Sequence, residues 1–238
     1  MARAARLIET EDAPRPRAAQ VSREVVISAI QVGMGQAVRE FEQWTDGESL
    51  AEWGVEALLT ANCARSISRA SRRVGGRAAV TLEQSFGSLL DWSARRHRPG
   101  RPPEGARRLI EKAACRVDLV IWNGNNTPRA VVEVKRSDTV AGLVADAERL
   151  TDFVRYAGRS YGGSVRYGLL ATVFQHPATS SAADRNRKLK RRIEALRTVA
   201  RDQGFRLKVH GPTAVRLRGL RDYCAVETVV FEFALPLE

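Results

Sequence analysis

The chain has 238 residues, of which 44% are hydrophobic and 28% charged, the usage of a folded domain and not of a disordered one. Lys and Arg number 39 against 27 Asp and Glu, a formal charge of +12 with a pI near 10.5, so a polyanion is the expected partner and nucleic acid the commonest. No run reaches the roughly 20 apolar residues of a membrane span. The N-terminal segment lacks a secretory apolar stretch, and Cys63, Cys115 and Cys224 are too scattered for a disulfide framework. A reducing, cytoplasmic setting without membrane attachment is therefore expected.

Residues 1–18 read as a flexible basic tail and residues 19–238 as one domain. Val21 to Trp44 has helical spacing, with Ser22 as cap and Gly33-Met34-Gly35 weakening its middle. Thr45-Asp46-Gly47 breaks the pattern, and a second helix is predicted from about Glu48 to Arg69. After Gly75-Gly76, Ala78 to Phe86 alternates like a strand. Trp92 to Glu104 reads as a loop, and Gly105 to Ala114 as a short helix or turn. Arg116 to Trp122 and Ala130 to Arg136 are β-like runs around a connector rich in Asn, Gly and Pro, which predicts a hairpin. Val140 to Gly158 carries a buried stripe of Leu143, Val144, Ala147, Leu150 and Val154. Val165 to Phe174 is a continuous apolar strand of the kind buried on both faces. A basic helix from Ala182 to Gln203 and strands Phe205 to Val209 and Thr228 to Phe233 complete an α/β order.

The hairpin carries ionisable residues where a buried strand does not want them. Alternation puts Glu133 and Lys135 on one face, roughly 6–7 Å apart, with Val132 and Val134 pointing into the core on the other. Given the right register, Asp118 returns beside Glu133. Two adjacent carboxylates repel unless a cation lies between them. An open, all-oxygen pair suits Mg2+, which binds through one or two carboxylates plus phosphate. A neighbouring lysine then orients or deprotonates an attacking water, and the chemistry is metal-assisted phosphodiester hydrolysis. Glu-x-Lys alone also fits any amphipathic strand with a solvated face. The order adds weight: an Asp in an apolar strand, a short loop, Val-Val-Glu-Val-Lys, a helix and a further apolar strand.

In Arg116-Val117-Asp118-Leu119-Val120-Ile121 and Val131-Val132-Glu133-Val134-Lys135 the chain resembles the PD-(D/E)XK nuclease superfamily. Val117 stands where the family name writes proline. The resemblance covers the hairpin and extends through the following helix to Phe174; nothing outside that span adds to it. It implies a restriction-endonuclease-like mixed sheet flanked by helices. It also implies an Mg2+-dependent deoxyribonuclease, expected to act as an endonuclease, with Mn2+ able to substitute. Asp118, Glu133 and the Val134 carbonyl would hold the metal, and Lys135 would position the water. Relatives carry one more acid on an earlier helix, for which Glu52 and Glu56 are the candidates, with Glu83 a third. Arg149 and Arg136 are candidates for meeting phosphate, Arg155 less so, and Tyr156 or Tyr161 could stack on a base.

The charge run with Arg185, Lys188 and Arg191 would track a nucleic-acid backbone, as would the arginines from Arg95 to Arg108, although each also fits a solvated face. His97, His176 and His210 match no metal or nuclease spacing, and no phosphate loop is present. Two further readings stay open: a catalytically silent DNA-binding subunit of a repair or defence assembly, and an RNA-directed nuclease. No target-recognition domain is apparent, which favours loose specificity or a partner subunit that confers it; the resemblance also leaves a homodimer open.

Overall fold

The structure is a computed structural model that describes residues 20–48, 50, 54–76, 78–94, 115–136, 139–177, 179–217 and 223–236. The elements in chain order are α1 (Arg23–Trp44), α2 (Glu56–Arg73), β1 (Val80–Ser85), α3 (Phe86–Ala94), β2 (Arg116–Trp122), β3 (Pro128–Arg136), α4 (Val140–Tyr156), β4 (Tyr167–Pro177), α5 (Ala182–Asp202), β5 (Arg206–Val215) and β6 (Tyr223–Ala234). One six-stranded sheet runs β1-β2-β3-β4-β6-β5. Only β3 and β4 are parallel; every other neighbouring pair is antiparallel. The molecule is thus α/β with a mixed sheet between helices.

Each face of the sheet buries its own apolar cluster. Leu169, Ala171 and Val173 of β4 pack toward α1 and α2, whereas Leu170 and Phe174 pack toward α4 and α5. Coverage of both faces explains why this strand reads as unbroken apolar sequence. On the second face Phe86 of α3 stacks on Phe153 of α4, ring centroids 4.8 Å apart.

α1 starts where the sequence places it, with the Ser22 hydroxyl accepting the Val25 N–H at 3.3 Å. Gly33 does not interrupt it. A Cβ there would lie 2.7 Å from the Asn62 carbonyl oxygen and the Cys63 Cα, so the missing side chain lets α2 approach. The second helix differs from expectation. Val55 is extended at φ −108° and ψ 137°, α2 begins only at Glu56, and it runs on to Arg73. α3 departs from expectation: Phe86 reads as the end of a strand and Trp92 as the start of a loop, and no element is predicted between them. β5 continues past the predicted Val209 through a bulge between His210 and Thr213, where Gly211 takes φ 104°. The predicted loop and short helix spanning 95–114, with their arginines, lie outside the described residues.

Because β3 and β4 run parallel, their C-terminal ends share one end of the sheet, and α4 and α5 both start there. Residues late in β3, early in α4 and early in α5 are brought to the same end by topology alone.

Candidate active site

The hairpin strands part where the ionisable residues begin. β2 and β3 pair from Trp122↔Pro128, across a bulge, through Ile121↔Ala130 and Val120↔Val131 to Leu119↔Val132, and no pair is formed between Asp118 and Glu133. Asp118 instead turns its side chain to β3, where Oδ2 accepts the Val134 N–H at 2.7 Å. β2 also changes face here. Val117 packs with the α4 and α5 cluster and Leu119 with the α1 and α2 cluster, although residues two apart in a regular strand share a face. Splaying at Asp118 opens the end of the hairpin and leaves a carboxylate in it.

Glu133 follows on β3, 2% exposed, with Oε1 accepting from Arg149 Nη2 of α4 at 2.8 Å. Lys135 Nζ lies 3.3 Å from Glu56 Oε2 on the first turn of α2 and 3.9 Å from Asp146 Oδ2 on α4. Asp146 Oδ1 is 2.7 Å from Arg149 Nη2, an i,i+3 pair on the helix. One cluster therefore joins β2, β3, α2 and α4.

Formally, four carboxylates (Glu56, Asp118, Glu133 and Asp146) face two cations, an excess of two negative charges. Burial pushes the Glu133 carboxyl up to about 8; Arg149 pulls it back and the charge on Asp118 adds to the rise. Burial also pulls the Lys135 ammonium down, but the carboxylates of Asp146, Glu56, Glu133 and Asp118 outweigh it and hold the group above its ordinary value. Lys135 is thus a charged donor in this arrangement and not a base.

Among the described residues no group of three or more His, Cys, Asp or Glu is gathered as a ready metal cage. The donor set nonetheless fits Mg2+, which takes few protein ligands and keeps water in its other positions. Asp118 and Glu133 are hard oxygen donors, and with Glu133 ionised the excess of two negative charges would balance a divalent cation.

The remaining candidates divide clearly. Glu56 joins the cluster; Glu52 lies outside the described residues. Glu83 takes φ 50°, is 64% exposed and pairs with the equally exposed Arg116 at 3.2 Å, in solvent and not in the cluster. Arg136 is the last residue of β3, half-buried at the site end. Arg155 donates to Gln203 Oε1 at 2.8 Å and ties the far end of α4 to the end of α5. Tyr156 and Tyr161 pack on each other, centroids 5.2 Å apart, at that same far end. On α5, Arg185 donates to the Ser180 carbonyl and faces Glu227, while Lys188 and Arg191 are exposed. His176 and His210 each contact a glutamate, Glu227 and Glu232, outside the cluster.

Asp146 is the member that sequence reasoning missed. The signal was present: it stands three residues after Leu143 and four before Leu150, so it is an acid within the apolar stripe of an amphipathic helix. Comparison of the chain with family models, with curated proteins and with solved structures gave no match.

Proposed function

We propose that the chain is an Mg2+-dependent nuclease with a restriction-endonuclease-like architecture that hydrolyses DNA phosphodiester bonds internally. The observation that carries this reading is the convergence of Asp118, Glu133, Lys135 and Glu56 at the splayed end of one hairpin, with Glu133 buried. Asp118 and Glu133, with the Val134 carbonyl, would hold the ion. When bound, the ion supplies charge for the phosphoryl oxygens and acidifies a coordinated water.

The chain's own groups do the rest. Lys135, kept charged, donates to the attacking water or to a phosphate oxygen, and Glu56 and Asp146 fix the direction of its ammonium. Arg149 and Arg136 supply donors for the phosphate, the first by a forked guanidinium suited to it. The basic start of α5, with Arg185, Lys188 and Arg191 at the same end of the sheet, follows the flanking backbone.

A second reading, a catalytically silent DNA-binding subunit, draws on one observation: Arg149 already partners Glu133. A homodimer or a partner that confers specificity belongs to either reading. Among the described residues no helix is long and apolar enough to cross a membrane. End-labelled DNA and RNA incubated with Mg2+, Mn2+ or EDTA separate these readings. Metal-dependent cleavage of DNA is expected. Tight DNA binding indifferent to metal, with no product, would favour the silent subunit, and cleavage confined to RNA would reassign the substrate.

A further inference from the structure

Arg149 occupies the place beside Glu133 where the proposed metal ion would bring its charge. One nitrogen, Nη2, is shared between Glu133 at 2.8 Å and Asp146 at 2.7 Å. The Nε of the same guanidinium is buried and has no hydrogen-bond partner among the described residues. A guanidinium is a planar fork that binds best through two nitrogens at once. Sharing one nitrogen between two acids while a buried N–H goes unsatisfied is a poor use of it. The arrangement is suited to exchange: Arg149 has a second carboxylate in hand on its own helix, one turn away.

We propose that Asp146 is a positioning residue that takes Arg149 over from Glu133 when a divalent cation binds, and that it keeps the guanidinium beside the site for a substrate phosphate. This rests on the metal-dependent reading above. Asp146 is suited to the role because it is 7% exposed, stands on α4 with Arg149, and also faces Lys135. Without its charge, Arg149 stays on Glu133 and competes with the cation. With it, the cation displaces only half of an existing pairing.

The test is a double-mutant cycle on the full chain, reading Mn2+ affinity by calorimetry at fixed pH, with thermal unfolding in EDTA alongside. Asp146→Asn is expected to weaken Mn2+ binding by at least about 10-fold, the usual size of an outer-sphere effect. Arg149→Gln removes the competitor and is expected to bind Mn2+ at least as tightly as the wild type once the affinities are corrected for the protons released on binding. Adding Asp146→Asn to Arg149→Gln is expected to change the affinity by no more than about 2-fold. An equal loss in both backgrounds would show that Asp146 acts as plain negative charge, and no loss in either would show that it does not act on the cation; both overturn the proposal. If Asp146→Asn fails to fold, Asp146→Glu serves instead. Retained Mn2+ affinity and a fully folded chain are expected for it, and a 10-fold loss like that of a neutral residue would overturn the proposal. A wild type that binds no Mn2+ and cleaves no DNA overturns the nuclease reading and this inference together. A wild type that binds and cleaves, with Asp146→Asn indistinguishable from it, overturns only the inference.

Discussion

Glu133 is the residue whose surroundings constrain the chemistry most. Its carboxyl is held up to about 8, above an ordinary 4.5, mainly by burial. Between those values the folded chain holds a proton that the unfolded chain has lost. Without metal, stability should therefore fall as pH rises from about 5 to about 8 through this group, the reverse of a salt-bridged carboxylate. Metal binding must expel the same proton, so Mn2+ affinity should climb over that window. Melting temperatures in EDTA and in Mn2+ across the range check both signs; a Glu133→Gln variant that retains the full pH slope would assign it elsewhere. Lys135 carries a different expectation. As a charged donor it should be replaceable only at the cost of turnover: Lys135→Ala is expected to lower cleavage by at least about 100-fold. Binding of a short duplex should change far less. The alternation of Val132, Glu133, Val134 and Lys135 made both residues legible in the sequence, because a strand has only two faces. The switch of face at Asp118 was not legible, since it depends on β2 parting from β3 and on the Val134 N–H finding a side-chain acceptor.

Among the elements, those with one strong period were read nearly to their ends. α1, α4, β4 and α5 each carry one dominant helical stripe or apolar run, and the three helices begin at a Ser or Thr cap. The misread elements are those in which tertiary contacts override local pattern. The predicted second helix is interrupted at Val55, which is extended, and that break puts Glu56 on the first turn of α2, within reach of Lys135. β5 runs through Gly211 and Pro212, which read locally as a stop, because β6 supplies partners on either side of the bulge. The packing of α1 on α2 gives a prediction at this scale. Gly33→Ala forces a methyl group to within 2.7 Å of α2 backbone. It should destabilise the fold by about 1–3 kcal/mol in chemical denaturation and loosen the Glu56–Lys135 contact, whereas Gly75→Ala, with open space around it at φ +70°, should show only the smaller penalty of a left-handed backbone.

For the whole molecule, the parallel β3 and β4 place the start of the basic helix α5 at the same end of the sheet as the carboxylate cluster. The net charge of +12 was legible from composition; the placement of α5 beside the cluster was not, because that depends on which strands run parallel. Lys188 and Arg191 are exposed on α5, whereas Arg185 is partly committed to Glu227. Lys188→Glu with Arg191→Glu should weaken DNA binding uniformly across sequences, lower the slope of log affinity against log salt by about 2 and leave the melting temperature unchanged. An unaltered salt slope would place the DNA on another face.

The proposed hydrolytic centre is the splayed end of the hairpin. Its most direct test is closed circular DNA incubated with Mg2+, wild type beside Lys135→Ala, both shown to be folded and to bind the DNA. Nicked and then linear product is expected from the wild type alone, abolished by EDTA. Equal nicking by both proteins, or binding by the wild type with no cut strand in any divalent metal, would contradict it.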